Sequence, residues 1–79
     1  MAKISQKVRA KLHRKGIEVD DVELVLADPE RGPEPSRAPG SERQIYSRHI
    51  SGRLLLVFVE PFDHEEVVTA YYPPPPKRR

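Results

Sequence analysis

An α+β fold is predicted for this 79-residue chain, with two N-terminal helices packed on a three-stranded antiparallel β-meander. Three observations lead there. Two short segments carry apolar residues at helical spacing, and each is followed by a helix-stopping residue. The second half contains three runs rich in β-branched and aromatic residues, two of them separated by a tight Ser51-Gly52 turn. The middle run, Leu54 to Val59, is apolar without interruption, so both of its faces require cover.

The first helix is expected from about Ser5 to Lys15. Ile4, Val8 and Leu12 repeat every fourth residue, Ser5 is a suitable cap, and Gly16 ends the helix. The second should begin near Val19. There Ile17 can pack on Val22 as a hydrophobic staple, and the acids at 18, 20 and 21 lie at the positive end of the helix dipole. Val22, Val25 and Leu26 form its buried face. Asp28-Pro29 stops it, because proline disfavours helical geometry in the preceding residue and has no amide proton.

Residues 29–42 are Pro, Gly, Glu, Arg and Ser with hardly an apolar side chain, and they read as a mobile loop. The strands are expected at Arg43 to Ile50, Arg53 to Glu60 and Glu66 to Tyr72. Pairing Ile50 with Arg53 across the turn puts Ile45, Ser47 and His49 on one face with Leu54, Leu56 and Phe58. Tyr46, Arg48 and Ile50 share the other face with Arg53, Leu55, Val57 and Val59. The first face is the greasier and is assigned to the helices. Leu55, Val57 and Val59 are therefore expected to form an exposed floor that a partner covers. The domain is expected to span residues 1–72, followed by a proline-rich basic tail at 73–79.

One domain of this size buries a thin core, which makes oligomerisation an expected supplement. The absence of cysteine excludes a disulfide scaffold and a thiolate zinc site. Three scattered histidines suggest no metal, and no cofactor is expected. The opening residues carry no apolar run long enough for a signal peptide or a membrane span, so a cytoplasmic location without membrane contact is the expectation. The formal net charge is +2, but it is unevenly spread. Lys3, Lys7, Arg9, Lys11, Arg14 and Lys15 meet no acid before Glu18, and acids alone then follow until Arg31. Either the two helices neutralise each other across their edges, or the first is left free to meet phosphate.

Lys15-Gly16-Ile17, Asp21-Val22, Val25-Leu26, Ser51-Gly52-Arg53 and Val67-Val68-Thr69-Ala70-Tyr71, in that order, resemble a small bacterial family of unknown function grouped with the BrnT toxins and, more distantly, the RelE toxins. The resemblance spans nearly everything from Lys7 to Pro73. It implies a RelE-like fold of α-α-β-β-β order, a metal-independent ribonuclease activity, and an antitoxin protein as partner beside RNA. Such enzymes use the 2′-hydroxyl of RNA as nucleophile, so the protein must remove its proton, stabilise the crowded phosphate and protonate the leaving oxygen. On that reading the catalytic candidates are Arg48 and Arg53 as a phosphate clamp, Tyr46, Tyr71 or Tyr72 for stacking or proton donation, and His49 as acid or base. Lys7, Lys11, Arg14 and Arg43 are the candidates for RNA-backbone binding. Members of this kind often carry histidine at the position of Lys7 and arginine at that of Lys11; lysine keeps the charge and loses the imidazole and the planar fork. A competing reading is a non-catalytic interaction or dimerisation module with the same fold. A third is nonspecific RNA binding through the first helix.

Overall fold

The computed structural model describes residues 3–35 and 42–73. Two helices, α1 (Gln6–Arg14) and α2 (Val19–Ala27), precede four strands: β1 (Arg31–Pro35), β2 (Gln44–Ile50), β3 (Arg53–Val59) and β4 (Val67–Tyr71). The strands form one antiparallel sheet in sequence order, and both helices cover the same face of it. Among the described residues no helix is long and apolar enough to cross a membrane.

Local chemistry explains the helix ends. The Ser5 hydroxyl accepts from the Val8 amide at 3.2 Å. At the other end Gly16 takes φ of 71°, the Ile17 amide donates to the Leu12 carbonyl and the Gly16 amide to that of His13. This is the Schellman pattern, and its usual apolar contact is made by Ile17 and Leu12, both buried. Ile17 thus closes α1 and also belongs, with Val22 of α2, to the central cluster of Leu12, Val22, Val25, Leu55, Val57, Val59, Val67 and Ala70. Among the described residues no ion pair joins α1 to α2; Lys15 reaches Thr69 and Ala70 of β4, and Asp28 engages Arg48.

The sheet has four strands rather than three. Part of the predicted loop, Arg31 to Pro35, pairs with β2 as an edge strand, while residues 36–41 lie outside the described residues, as does the tail from 74. No apolar period marks β1, and every one of its residues is exposed. It is a strand because β2 offers a free edge, which an edge strand can meet even when prolines remove donors. Gly32 permits the approach: a Cβ there would lie 2.5 Å from the Ile45 carbonyl oxygen.

The β2–β3 register is the expected one, with Ile50 opposite Arg53 and Tyr46 opposite Val57. Ser51 and Gly52 both take positive φ, as a two-residue hairpin turn demands. The side assignment is the reverse of the expected one. Leu55, Val57 and Val59 are each 0% exposed beneath the helices, so they are core and not a partner interface. Leu54, Leu56 and Phe58 lie on the other face, over which no described element packs and which is called the uncovered face below. The helix-covered face carries Leu55, Val57, Val59, Val67 and Ala70 with Tyr46, Ile50 and Tyr72 packed against them, and these close on Leu12, Val22 and Val25 in one cluster. Tyr46 and Arg48 fit this face because their long side chains bury their stems and carry their polar ends past its edge.

Candidate functional site

The proposed catalytic residues do not converge. Arg48 is half-buried, and its Nη1 donates to the Asp28 carbonyl at 2.8 Å and to Asp28 Oδ2 at 3.1 Å. Asp28 follows the last turn of α2, where carbonyl groups lack intrahelical donors, so this arginine closes the helix and anchors it to β2. Its Nε is buried with no hydrogen-bond partner. Arg53, diagonal to Arg48 in the register, stacks its guanidinium 4.2 Å from the centre of the Tyr72 ring. Burial raises the Tyr72 phenol, the negative charge of Asp21 adds to that, and Arg53 opposes both. The two arginines therefore serve different contacts and do not form a clamp.

Tyr46 is engaged as well. Its hydroxyl lies 3.1 Å from His64 Nδ1, and His64 Nε2 lies 3.1 Å from the Pro61 carbonyl. A carbonyl oxygen only accepts, so Nε2 carries the proton and, in the neutral ring, Nδ1 accepts from the tyrosine. The pair holds the β3–β4 connection against β2.

His49 lies on the uncovered face, contrary to its expected place on the helix side. Its Nδ1 is 2.7 Å from Glu30 Oε1, which also accepts from the His49 amide at 3.2 Å. The bond from the His49 ring, followed by that from its amide, holds the Glu30 carboxyl below its ordinary value. Tyr71 and Tyr72 separate across the sheet: Tyr72 packs against the core, while Tyr71 stands exposed and stacks on Phe58 with ring centres 5.6 Å apart and planes at 17°. Arg14 is exposed on the last turn of α1, and Arg43 is exposed just before β2.

A concave feature lies elsewhere among the described residues. A cleft of about 290 Å³ opens between α1 and the end of the β3–β4 hairpin. Lys7 and Lys11, one helical turn apart, line its α1 side with Ser5 and Val8. Glu60 and Glu66 line the opposite side with Val67 and Val68. The Glu60 amide donates to the Glu66 carbonyl at 3.1 Å, which keeps the two acids beside each other at the hairpin. Val68 is the extra residue where the β3–β4 register shifts between Val59/Val67 and Phe58/Thr69, and that bulge allows it to line the cleft beside the buried Val67. Sequence reading singled out the two lysines and missed Glu60 and Glu66. A signal existed in the i, i+4 spacing of the lysines, but no local pattern joins them to acids some fifty residues away.

The floor of the cleft is tied down by a further contact. Lys3 bridges to Glu66 in parallel pairing, its amide donating to the Glu65 carbonyl and its carbonyl accepting from the Val67 amide. Its ammonium meets Asp63 Oδ2 at 2.6 Å. The hydrogen bond to Asp63 raises the lysine, and the same bond lowers the aspartate. Among the described residues no group of three or more His, Asp or Glu side chains is placed to hold a metal ion. In comparison with known proteins the chain matches no family model, no curated protein and no solved structure.

Proposed function

We propose that this chain is a RelE/BrnT-type protein that engages the RNA backbone at the α1–hairpin cleft and cleaves it without a metal. The observation that carries the reading is the position of Lys7 and Lys11 on one wall of the described cleft, facing two carboxylates. These are the two helix positions at which proteins resembling this chain often carry histidine and arginine. Lysines at a concave wall attract phosphate, and a carboxylate opposite them supplies a base. In the proposed step Glu60 or Glu66 takes the 2′-hydroxyl proton. The oxygen then attacks phosphorus, the P–O5′ bond breaks, and the departing oxygen receives a proton from a lysine or from water. The products are a 2′,3′-cyclic phosphate and a 5′-hydroxyl. In this reading Arg48, Arg53 and Tyr46 support the fold, and the chemistry passes to Lys7, Lys11, Glu60 and Glu66.

The test uses the purified chain and a labelled single-stranded RNA. Cleavage with cyclic-phosphate ends is expected, weakened by Lys7→Ala/Lys11→Ala and abolished by Glu60→Gln/Glu66→Gln with binding retained. Two lost phosphate contacts should reduce the slope of log affinity against log salt by about 1.4. Wild-type cleavage by the lysine double variant would refute the site. A second reading, a non-catalytic interaction module, is favoured by the engagement of Arg48, Tyr46 and Arg53 in contacts within the fold; a folded protein that neither binds nor cuts RNA would select it.

A further inference from the structure

The face of the sheet opposite the helices is apolar at its centre and charged at one margin. Across the strands run three rows: His49 with Leu54, then Arg31, Ser47, Leu56 and Tyr71, then Glu34, Ile45, Phe58 and Thr69. Leu54, Leu56, Phe58 and Ile45 are partly exposed, Ser47 between them is 4% exposed, and Tyr71 at the β4 side is 38% exposed. Apolar side chains at the centre of a sheet are normally covered by a second layer. Among the described residues that layer is present on one side only.

Both edges of the sheet, by contrast, are closed to strand addition. On the β4 side the Lys3 backbone pairs at Glu66, and the Lys15 ammonium reaches the Ala70 carbonyl at 3.4 Å and the Thr69 hydroxyl at 3.3 Å. On the β1 side Pro33 and Pro35 remove donors from the outer strand. A partner that extends the sheet is thereby disfavoured, and one that stacks on it is not.

We infer that the uncovered face is the contact between two copies of this chain, which pair sheet to sheet with Leu56 and Phe58 at the centre. The margin carries both signs of charge, with Arg31 beside Glu34 and Glu30 beside His49, so a copy turned by a twofold axis meets no field of its own sign. A polyanion finds no basic track over Leu54, Leu56 and Phe58. The area is adequate for a modest dimer: four strands about 4.8 Å apart, with residues rising about 3.3 Å each over seven positions, make a face of roughly 400 Å². Two such faces together make roughly 800 Å², the size of a weak, reversible association rather than of an obligate dimer. The pairing leaves the α1–hairpin cleft open on the other side of each sheet, so it is independent of whether that cleft handles RNA.

Sedimentation equilibrium of the full chain over a wide concentration series tests this. The mass should climb from 9.1 kDa towards twice that value. Leu56→Lys places two ammonium groups at the centre of the contact and should weaken association at least tenfold, while Phe62→Ser, at a side chain 94% exposed in the β3–β4 connection, should leave it unchanged. A mass independent of concentration overturns the inference. So does a folded Leu56→Lys variant that associates like the wild type. If Leu56→Lys does not fold, isotope-filtered NOEs in a mixed labelled and unlabelled wild-type sample decide: cross-peaks between Phe58 rings and Leu54 or Leu56 methyls of the other copy support the contact, and intermolecular peaks only from other surfaces refute it.

Discussion

Replacing Leu55 and Leu56 by alanine, one at a time, separates the two faces of β3. The residues are neighbours of identical chemistry, and they differ in what lies over them. Leu55 is 0% exposed among Val22, Val25 and Val57 of the core, whereas Leu56 is only partly buried on the uncovered face. Truncating a fully buried leucine removes its transfer free energy and leaves a cavity, at a cost of about 3 to 4 kcal/mol. At Leu56 only part of the side chain leaves the protein environment and solvent fills the space, so the cost is about 1 kcal/mol. A domain of this length has a total stability of roughly 4 to 12 kcal/mol. Urea denaturation followed by circular dichroism, at concentrations low enough to keep the chain monomeric, should lower the midpoint by about 3 M for Leu55→Ala and about 1 M for Leu56→Ala, with a slope of about 1 kcal/mol/M. If Leu55→Ala leaves no folded baseline, Leu55→Val against Leu56→Val repeats the comparison at smaller amplitude. Equal losses, or a larger loss at Leu56, would show that the helices do not cover the Leu55, Val57 and Val59 side.

Two further outcomes are expected from the polar contacts. Arg48→Ala should cost about 2 kcal/mol, because it removes both the buried stem and the donors to Asp28, while Arg48→Met keeps the stem and should cost about 1 kcal/mol or less; loss of RNA cleavage in a fully stable Arg48→Met protein would return Arg48 to the chemistry. Glu30 and Asp63 both have folded values held below their ordinary ones, by His49 and Lys3 respectively. A depressed carboxyl contributes stability that is present above its unfolded value and is lost as pH falls through the folded one. Denaturation midpoints should therefore decline on acidification below the ordinary carboxylate range near 4, and Glu30→Gln/Asp63→Asn should flatten that decline. A slope unchanged in the double variant would remove these two contacts from the pH dependence.

Much of the fold was legible because its signals are local. Ser5, Gly16 and Pro29 bound the helices through backbone chemistry that needs no distant partner, and Ser51-Gly52 specifies a hairpin whose register follows from the turn alone. β1 was not legible, since five exposed residues with two prolines form a strand only where another strand supplies the pairing. The site divided in the same way. Lys7 and Lys11 stood out on their own helix, but Glu60 and Glu66 join them only after the chain has folded. Arg48 and Tyr46 drew attention as polar groups in an apolar strand, and their partners, Asp28 and His64, are distant in sequence.

By itself the sequence determined an α+β class, the helix boundaries, the hairpin register and a middle strand that is greasy on both sides. Only the tertiary structure decided which side the helices take. An uninterrupted apolar strand has no periodic signal to distinguish its faces, so the choice falls to packing across the layers, where Leu55, Val57 and Val59 close on Leu12, Val22 and Val25. With that choice made, Arg48 and Tyr46 become ties at the rim of the helix layer, and among the described residues no second layer lies over the opposite face.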